Sequence, residues 1–288
     1  MQPVADWLPE PEPVVLPAPW GSLYLWIYGD TGPALLWCHG AGLCGRAFEP
    51  VFARMAPLPV RVAAIDLNGH GCSSPRPDLR KAPWEAFRQD VAEAARLLEQ
   101  RFGLAGGVGH SGGGAVLAME QIRRNRFPRL VLLDPILAPD CFFPAASSLA
   151  DRARRRKLHF PDREGVRARL RTKSPFNRWE NDLFEAYLKY GFRTAEDGGV
   201  TLCCPGEVEA AFYEGGSTGE TLRRLAAMRC PTLIVTGADS YMAPYAREQW
   251  AHAPAGSRLE ILPDCGHFIA QEKPDETARL IREWFGFS

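Results

Sequence analysis

The sequence lacks an excess of charge of either sign. Its 34 Lys and Arg residues balance 34 Asp and Glu residues, so the formal net charge at pH 7 is +0. Proteins that bind nucleic acid or an acidic membrane surface usually carry a basic excess, which neutralises the phosphate charges. We therefore expect a small-molecule substrate, and neither nucleic acid nor membrane as a partner.

Long apolar runs and paired cysteines are also missing. No apolar run approaches membrane-spanning length, and residues 1–6 have neither the basic start nor the apolar core of a signal peptide. The 8 cysteines form no C-x-x-C pair, and Cys203 and Cys204 are neighbours. This spacing predicts neither a zinc site nor a disulfide framework. We expect a cytoplasmic protein with reduced thiols, no metal and no cofactor.

The most informative segment is the G-x-S-x-G run of residues 109–113, with Ser111 at its centre. A short apolar stretch ending at Val108 precedes it, and a Gly- and Ala-rich stretch typical of a helix follows. A serine on a sharp turn between a strand and a helix is exposed as a nucleophile. The amide of Gly112, at the start of the helix, points to where an oxyanion would form. Ser111 is therefore the candidate nucleophile.

Two other loops follow predicted strands and complete such a site. The apolar run of residues 34–38 ends at His39-Gly40-Ala41-Gly42, where backbone N–H groups can turn toward a substrate. The run of residues 259–262 leads to His267 on a loop. A serine hydroxyl reacts only when a neighbouring base takes its proton, and histidine serves this purpose at neutral pH. His267 is the candidate base.

Four segments in order resemble the signature segments of the α/β-hydrolase superfamily, in its cap-bearing, esterase-like branch. They are His39-Gly40, residues 66–71, residues 109–113 and residues 266–268. The resemblance covers nearly the whole chain and implies a serine, an acid and a histidine in that chain order. It also implies an oxyanion hole made by the amides of Gly112 and Ala41, with Gly42 or Leu43 as substitutes if the loop turns differently.

The acid departs from the commoner pattern of the superfamily, in which a Gly-x-x-Asp turn follows the seventh strand. The corresponding turn, residues 237–244, has Ser240 in the aspartate position and Asp239 one residue early. The preceding strand, at residues 130–133, ends at Asp134. In this it resembles haloalkane dehalogenases and pancreatic-type lipases, which place their acid after that strand. We predict Asp134 as the acid, with Asp239 as the alternative.

Strand and helix patterns alternate along most of the chain. Residues 21–28 alternate between apolar and polar positions as an antiparallel strand does. Apolar runs typical of parallel strands follow at residues 34–38, 60–67, 106–109, 130–134, 232–236 and 258–262. Helical patterns lie at about residues 46–56, 84–102, 112–125, 243–252 and 272–285. With the resemblance, this alternation predicts an α/β-hydrolase fold with a mainly parallel, eight-stranded sheet flanked by helices. Residues 1–19 contain six prolines and are expected to lie extended over the surface.

Residues 138–228 break the alternation and show only helix-like or loop-like patterns. We predict that they form an inserted helical cap, and that residues 1–137 and 229–288 form the core domain. Within the cap, residues 151–173 are strongly basic, which is typical of a solvated helix face. The alternative is that one arginine of this stretch binds a substrate carboxylate. Candidate pocket residues are the cap aromatics Phe142, Phe143, Trp179 and Tyr187, with Phe184, Tyr190, Phe212 and Tyr213 as further members. Aromatic residues at helical spacing also hold a cap together.

Other polar residues of the signature loops are expected to organise the loops without reacting. His39, His70 and Asp66 are expected to fix loops by hydrogen bonds, and His110 to pack against the sheet.

A serine nucleophile selects acyl transfer. It excludes the chemistry of epoxide hydrolases and haloalkane dehalogenases, which the chain resembles in architecture but which attack with an aspartate. We predict a carboxylic-ester hydrolase that acts on a small, fairly apolar substrate through an acyl-enzyme. Two alternatives remain open, a carbon–carbon bond hydrolase of the ring-cleavage-product type and a capped ligand receptor with slow turnover. Both a monomer and a homodimer are compatible with the sequence.

Overall fold

The structure is a computed structural model that describes residues 8–57, 59–81, 83–215 and 218–287, without the side chains of residues 80 and 143–147. The strands of this part are β1 (Glu12–Ala18), β2 (Gly21–Tyr28), β3 (Ala34–Cys38), β4 (Arg61–Asp66), β5 (Leu104–His110), β6 (Leu130–Leu133), β7 (His159–Phe160), β8 (Phe192–Thr194), β9 (Val200–Leu202), β10 (Thr232–Gly237) and β11 (Arg258–Leu262). The α-helices are α1 (Glu49–Met55), α2 (Pro83–Phe102), α3 (Gly112–Arg124), α4 (Ala146–Arg155), α5 (Arg163–Leu170), α6 (Asn181–Tyr190), α7 (Gly206–Glu214), α8 (Gly219–Arg223), α9 (Ala246–His252), α10 (Ile269–Glu272) and α11 (Pro274–Phe285).

Eight of these strands form one twisted sheet in the order β1-β2-β4-β3-β5-β6-β10-β11. Strand β2 pairs antiparallel with β1 and β4, and the other neighbours pair parallel. The predicted mainly parallel, eight-stranded sheet is confirmed.

The expectation for residues 1–19 is wrong in part, because β1 is a strand of this sheet. Its Pro13 and Pro17 are tolerated because an edge strand has an unpaired side where a missing N–H costs nothing.

Alternation along the central strands divides the core into two layers. In β3, Leu35 and Trp37 face the layer that contains α1 and α11, whereas Leu36 and Cys38 face the layer that contains α2 and α3. All five residues of β3 are buried, as expected for a parallel strand covered on both faces. Among the described helices, none is both long and apolar enough to cross a bilayer.

The parallel strands bring three loops to one edge of the sheet. Strands β5, β6 and β11 end at this edge, and they are followed by Ser111, Asp134 and the loop that carries His267. Open α/β sheets bind their ligands at the carboxyl ends of the strands. The fold therefore brings the candidate residues together on short loops at one edge of the sheet.

The segment of residues 138–228 contains α4 to α8 and a small antiparallel sheet in the order β7-β9-β8. The prediction that these residues form only helices and loops is therefore wrong in detail. The strands of this sheet have two or three residues each, too few to produce a period-two pattern in the sequence. Gly198, with φ 83°, lies in the turn that joins β8 to β9. The boundaries of the cap as a domain stay a prediction.

Candidate active site

Ser111 lies on a tight turn between β5 and α3. Its φ of 57° and ψ of −125° are strained for a residue with a Cβ. Two glycines allow the turn, because a Cβ at Gly113 would collide with the carbonyl oxygens at the end of β3, and one at Gly109 would lie 2.7 Å from Cα of Gly114. The amide of Ser111 donates to the carbonyl of Leu133 at 2.9 Å. The turn is thereby fixed to β6.

Three side chains from separate loops form one hydrogen-bond chain. Oγ of Ser111 lies 2.9 Å from Nε2 of His267, and Nδ1 of His267 lies 2.5 Å from Oδ2 of Asp134. Since the carboxylate can only accept, Nδ1 carries the proton and Nε2 is free to accept the serine hydroxyl. Ser111 is 8% exposed and Asp134 0%. The arrangement brings the candidate nucleophile, the candidate base and a carboxylate that can orient this base into contact.

The two candidate acids occupy different places. Asp134 contacts His267, whereas the side chain of Asp239 pairs with Arg178 at 3.0 Å and is 51% exposed. Ser240, in the position where the resemblance predicts an aspartate, donates its hydroxyl to Oδ2 of Asp134. The hydroxyl therefore adds a second donor to the carboxylate that orients the imidazole. The geometry favours Asp134 over Asp239 as the acid.

Backbone amides beside Ser111 are placed to bind an oxyanion. Gly112 is the first residue of α3, and amides of a first helical turn have no acceptor within the helix. In the loop after β3, the amide of Gly42 donates to Nε2 of His70 at 3.2 Å, and that of Leu43 donates to a carbonyl of the same loop at 3.3 Å. The geometry therefore favours Ala41 over both substitutes, since its amide has no acceptor among the described residues.

Two buried histidines hold the loop after β3 in shape. His39 donates from Nδ1 to the carbonyl of the next residue at 2.8 Å and accepts the amide of Leu67 on Nε2 at 3.1 Å. His70 donates from Nδ1 to the carbonyl of Asn68 at 3.1 Å and accepts the amide of Gly42 on Nε2. Burial lowers the pKa of His70 to about 4 and that of His39 well below its usual range. Both rings are neutral and have a structural role.

Asp66 and His110 organise the surrounding backbone. The carboxylate of Asp66 accepts the amides of Gly45 at 2.7 Å and Cys72 at 3.0 Å. Nε2 of His110 donates to the carbonyl of His267 at 3.0 Å. Burial and then the nearby His267 lower the pKa of His110 to about 3. A neutral His110 therefore fixes the backbone of the loop that carries the candidate base.

Aromatic rings lie beside His267 and Gly112. The ring of Tyr241, which no sequence pattern singles out, has its centroid 4.6 Å from that of His267, and Tyr241 is 46% exposed. Phe142 stacks on Tyr241 at 6.1 Å. Phe212 of α7 packs against Gly112, where a Cβ would collide with its ring. Tyr241 and Phe212 therefore lie against His267 and Gly112, and Phe142 lies behind the ring of Tyr241.

The other predicted pocket residues contribute mainly to packing. Trp179 and Tyr187 are buried, and their ring centroids are 5.5 Å apart in an aromatic cluster of the cap. Trp179 also approaches Phe268, the neighbour of the candidate base, at 5.2 Å. The side chain of Phe143 lies outside the described residues. A contact of Trp179 or Tyr187 with substrate stays a prediction.

An ion pair of the cap rests on the loop after β3. Nη1 of Arg156 pairs with Glu209 of α7, and Nη2 donates to the hydroxyl of Tyr187 at 3.4 Å. The two charged side chains are only 21% and 11% exposed, and a Cβ at Gly42 would lie 3.1 Å from Cδ of Glu209. At least one arginine of the basic stretch 151–173 is therefore largely covered by its neighbours and does not lie on a solvated helix face. The sequence of this basic stretch does not indicate which of its arginines is covered.

The thiols are free in the described residues. No group of three or more His, Cys, Asp or Glu side chains within those residues is arranged to hold a metal ion.

The fold, the turn that carries Ser111 and the order of the three loops together define an α/β hydrolase. A family model described as "Alpha/beta hydrolase family" matches residues 35–280. The chain belongs to this family, and the predicted superfamily and fold class are confirmed.

Similar proteins include lipases and esterases. The chain is 30% identical over 281 residues to lipase LipV of Mycobacterium tuberculosis, an alignment that covers 92% of this chain and 98% of the lipase. The structure of E-2-(acetamidomethylene)succinate hydrolase superposes with a TM-score of 0.79 at 21% identity, over 96% of this chain and 100% of that one. That of the M. tuberculosis esterase Rv0045c superposes with a TM-score of 0.76 at 19% identity, over 96% and 92%. At such identities the two structures establish the fold.

Proposed function

We propose that this enzyme is a serine hydrolase that cleaves the carboxylic ester bond of a small, neutral, fairly apolar substrate. One observation carries the proposal, the continuous hydrogen-bond chain from Ser111 through His267 to Asp134, with distances of 2.9 and 2.5 Å. A serine hydroxyl is a weak nucleophile unless a positioned base takes its proton. The lipase relative, similar over 92% of the chain, is consistent with ester cleavage.

In the first half of the reaction, Oγ of Ser111 attacks the ester carbonyl carbon while Nε2 of His267 takes the hydroxyl proton. The carboxylate of Asp134 stabilises the imidazolium and holds its orientation. The carbonyl oxygen becomes negatively charged and accepts hydrogen bonds from the amides of Ala41 and Gly112. The intermediate collapses, the alcohol leaves with the proton from Nε2, and the acyl group stays on Ser111.

In the second half, a water molecule attacks the acyl carbon and His267 takes its proton. The same two amides bind the second oxyanion. Oγ of Ser111 then leaves and recovers a proton from Nε2, and the carboxylic acid is released. Each proton that His267 takes is returned within the same half-reaction.

The groups around the triad favour a neutral substrate. The ring of Tyr241 lies against His267 with Phe142 stacked on it, and the buried ring of Phe212 packs against Gly112, so these neighbours of the triad are aromatic and carry no charge. The charge of Arg156 is already matched by Glu209, so a substrate carboxylate would have to compete with a carboxylate held in place. Separating such a largely buried pair is costly.

A carbon–carbon bond hydrolase is the second candidate. The observation that favours it is Arg156, a basic group beside the loop that carries Ala41, since acidic ring-cleavage products need a cation nearby. The reaction would use the same triad. It would require Glu209 to give up part of its pairing with Arg156 when substrate binds.

Activity-based labelling of the wild type and Ser111→Ala, together with a panel of p-nitrophenyl esters, tests the proposal. We expect a fluorophosphonate to label the wild type but not the variant, and short to medium esters to be hydrolysed by the wild type alone. Labelling without turnover of any ester would favour a ligand receptor, and consumption of a coloured dienolate without ester turnover would favour the carbon–carbon hydrolase. Equal labelling of both proteins would exclude Ser111 as the nucleophile.

A further inference from the structure

The carboxylate of Glu272 binds the backbone on both sides of the candidate base. Its Oε2 accepts the amide of Gly266 at 2.8 Å, and its Oε1 accepts the amide of Phe268 at 3.3 Å. A Cβ at Gly266 would lie 2.8 Å from Oε1, so the carboxylate lies directly against the loop. The side chain is 3% exposed. Glu272 therefore fixes the backbone of the short segment that positions the imidazole of His267.

Arg178 of the cap supplies the charge that matches this carboxylate. Its Nε lies 2.8 Å from Oε2 of Glu272, and its Nη2 lies 3.0 Å from Oδ2 of Asp239. The amide of Asp239 in turn donates to the carbonyl of Cys265 at 2.9 Å. One guanidinium therefore bridges Asp239, in the loop after β10, and Glu272, at the end of α10.

The residues next to Arg178 dock on the same loop. The ring of Trp179 packs on Phe268 with centroids 5.2 Å apart. The amide of Glu180 donates to the carbonyl of Gln271 at 2.8 Å. Three consecutive cap residues thus contact the segment from residue 266 to residue 272, through an ion pair, a ring contact and a backbone hydrogen bond.

We propose that Arg178 is a positioning residue for His267, and that it acts through Glu272. The inference rests on the proposed function, in which His267 is the base. A carboxylate as buried as Glu272 is costly without a cation, so losing Arg178 leaves the charge compensated by two amides alone. The carboxylate then moves toward water and loosens its hold on Gly266 and Phe268. A small displacement of a catalytic group reduces turnover strongly, because proton transfer requires hydrogen-bond geometry.

The coupling makes the arrangement of the base depend on the seating of the cap. Arg178 belongs to the segment of residues 138–228, whereas Glu272 and His267 belong to the predicted core. A cap that is displaced from the core would withdraw the guanidinium and leave the base poorly held. The enzyme would then be fully competent only with the cap closed on the sheet.

The test compares Arg178→Ala with a matched control, Arg167→Ala. Arg167 is also a cap arginine in an ion pair, with Glu164 at 3.0 Å, and its exposure of 37% is close to the 41% of Arg178. On an ester that the wild type cleaves, we expect Arg178→Ala to lower kcat by about 10- to 100-fold with KM changed by less than about twofold. Arg167→Ala should leave both constants unchanged. Arg178→Lys keeps the positive charge but not the planar guanidinium that binds two carboxylates, and it should lower kcat by about threefold.

A double-mutant cycle separates positioning from mere stability. If Arg178 acts through His267, then Arg178→Ala should cause no further loss of residual activity in a His267→Ala background, because residues that act as a unit are not additive. Thermal unfolding reports whether each variant is folded. If Arg178→Ala does not fold, Arg178→Lys is tested in the same two backgrounds.

Three results would overturn the inference. They are a kcat of the folded Arg178 variants equal to that of Arg167→Ala, a change confined to KM, and an additional loss in the His267→Ala background. Failure of the proposed function would appear differently, as a wild type that is neither labelled at Ser111 nor active. In contrast, the inference can fail while the wild type remains fully active.

Discussion

Substitution of Asp134 by asparagine is the sharpest test of the triad. Nδ1 of His267 lies 2.5 Å from Oδ2 of Asp134, so the carboxylate keeps the ring proton on that nitrogen. An asparagine amide can donate as well as accept, which favours the tautomer with the proton on Nε2. That nitrogen then no longer accepts the hydroxyl of Ser111. The equivalent change in a well-studied serine protease lowers kcat by about 10⁴-fold, which corresponds to about 5.4 kcal/mol of transition-state stabilisation.

Asp239→Asn is the matched comparison, because it makes the same chemical change one strand away. Its ion pair with Arg178 joins side chains that are 41% and 51% exposed, and such pairs contribute about 1 kcal/mol or less. We expect a loss of kcat below about fivefold. Steady-state hydrolysis of a p-nitrophenyl ester measures both variants, and thermal unfolding shows that each is folded. A larger loss for Asp239→Asn than for Asp134→Asn would refute the assignment of the acid.

Three further predictions concern a side chain that contacts the triad, one that holds the oxyanion loop, and the buried carboxylate of Asp90 in α2, which accepts the amide of Asn68 at 2.8 Å. Ser240→Ala removes the donor to Asp134 and should lower kcat about tenfold, and an unchanged kcat would show that the hydroxyl is dispensable. His70→Phe removes the acceptor of the Gly42 amide and should lower kcat, again about tenfold, with little change in KM; an effect on KM alone would contradict a role in shaping the oxyanion loop. Burial raises the pKa of Asp90 from 3.8 to about 7, so between these values the folded chain keeps a proton that the unfolded chain loses. The free energy of unfolding should therefore fall as pH rises through that window, and less steeply in Asp90→Asn, when measured by urea denaturation. Equal slopes for the two proteins would refute this.

The central sheet was predictable because its strands carry strong local signals. Strands β3, β6 and β10 are buried at every residue, and such continuous apolar runs between helical patterns are typical of parallel strands. Strand β1 was not predicted, because its prolines suggest an irregular segment, and only its pairing with β2 makes it a strand. The strands of the cap are too short to leave a pattern.

Residues of the candidate site could be predicted where a short motif in their own loop marks them. Ser111 and His267 lie in short motifs, and the structure places them in contact. The roles of Glu272 and Arg178 depend on a contact across 94 positions of chain between the cap and α10, which is invisible in either local pattern. The role of Asp134 could be predicted only in part. The strand before it has a clear apolar pattern, but Asp239 follows a neighbouring strand and is an alternative acid.

The contact between Ser240 and Asp134 bears on which strand can carry the carboxylate. Strands β6 and β10 are adjacent in the sheet, and the side chains that follow them converge beside the same nitrogen of the imidazole. Exchanging the two residue types, as in Asp134→Ser with Ser240→Asp, would relocate the carboxylate by one strand and preserve the order serine, acid, histidine along the chain. In this chain, a swap of two side chains would therefore be enough to move the carboxylate between neighbouring strands without a change of backbone.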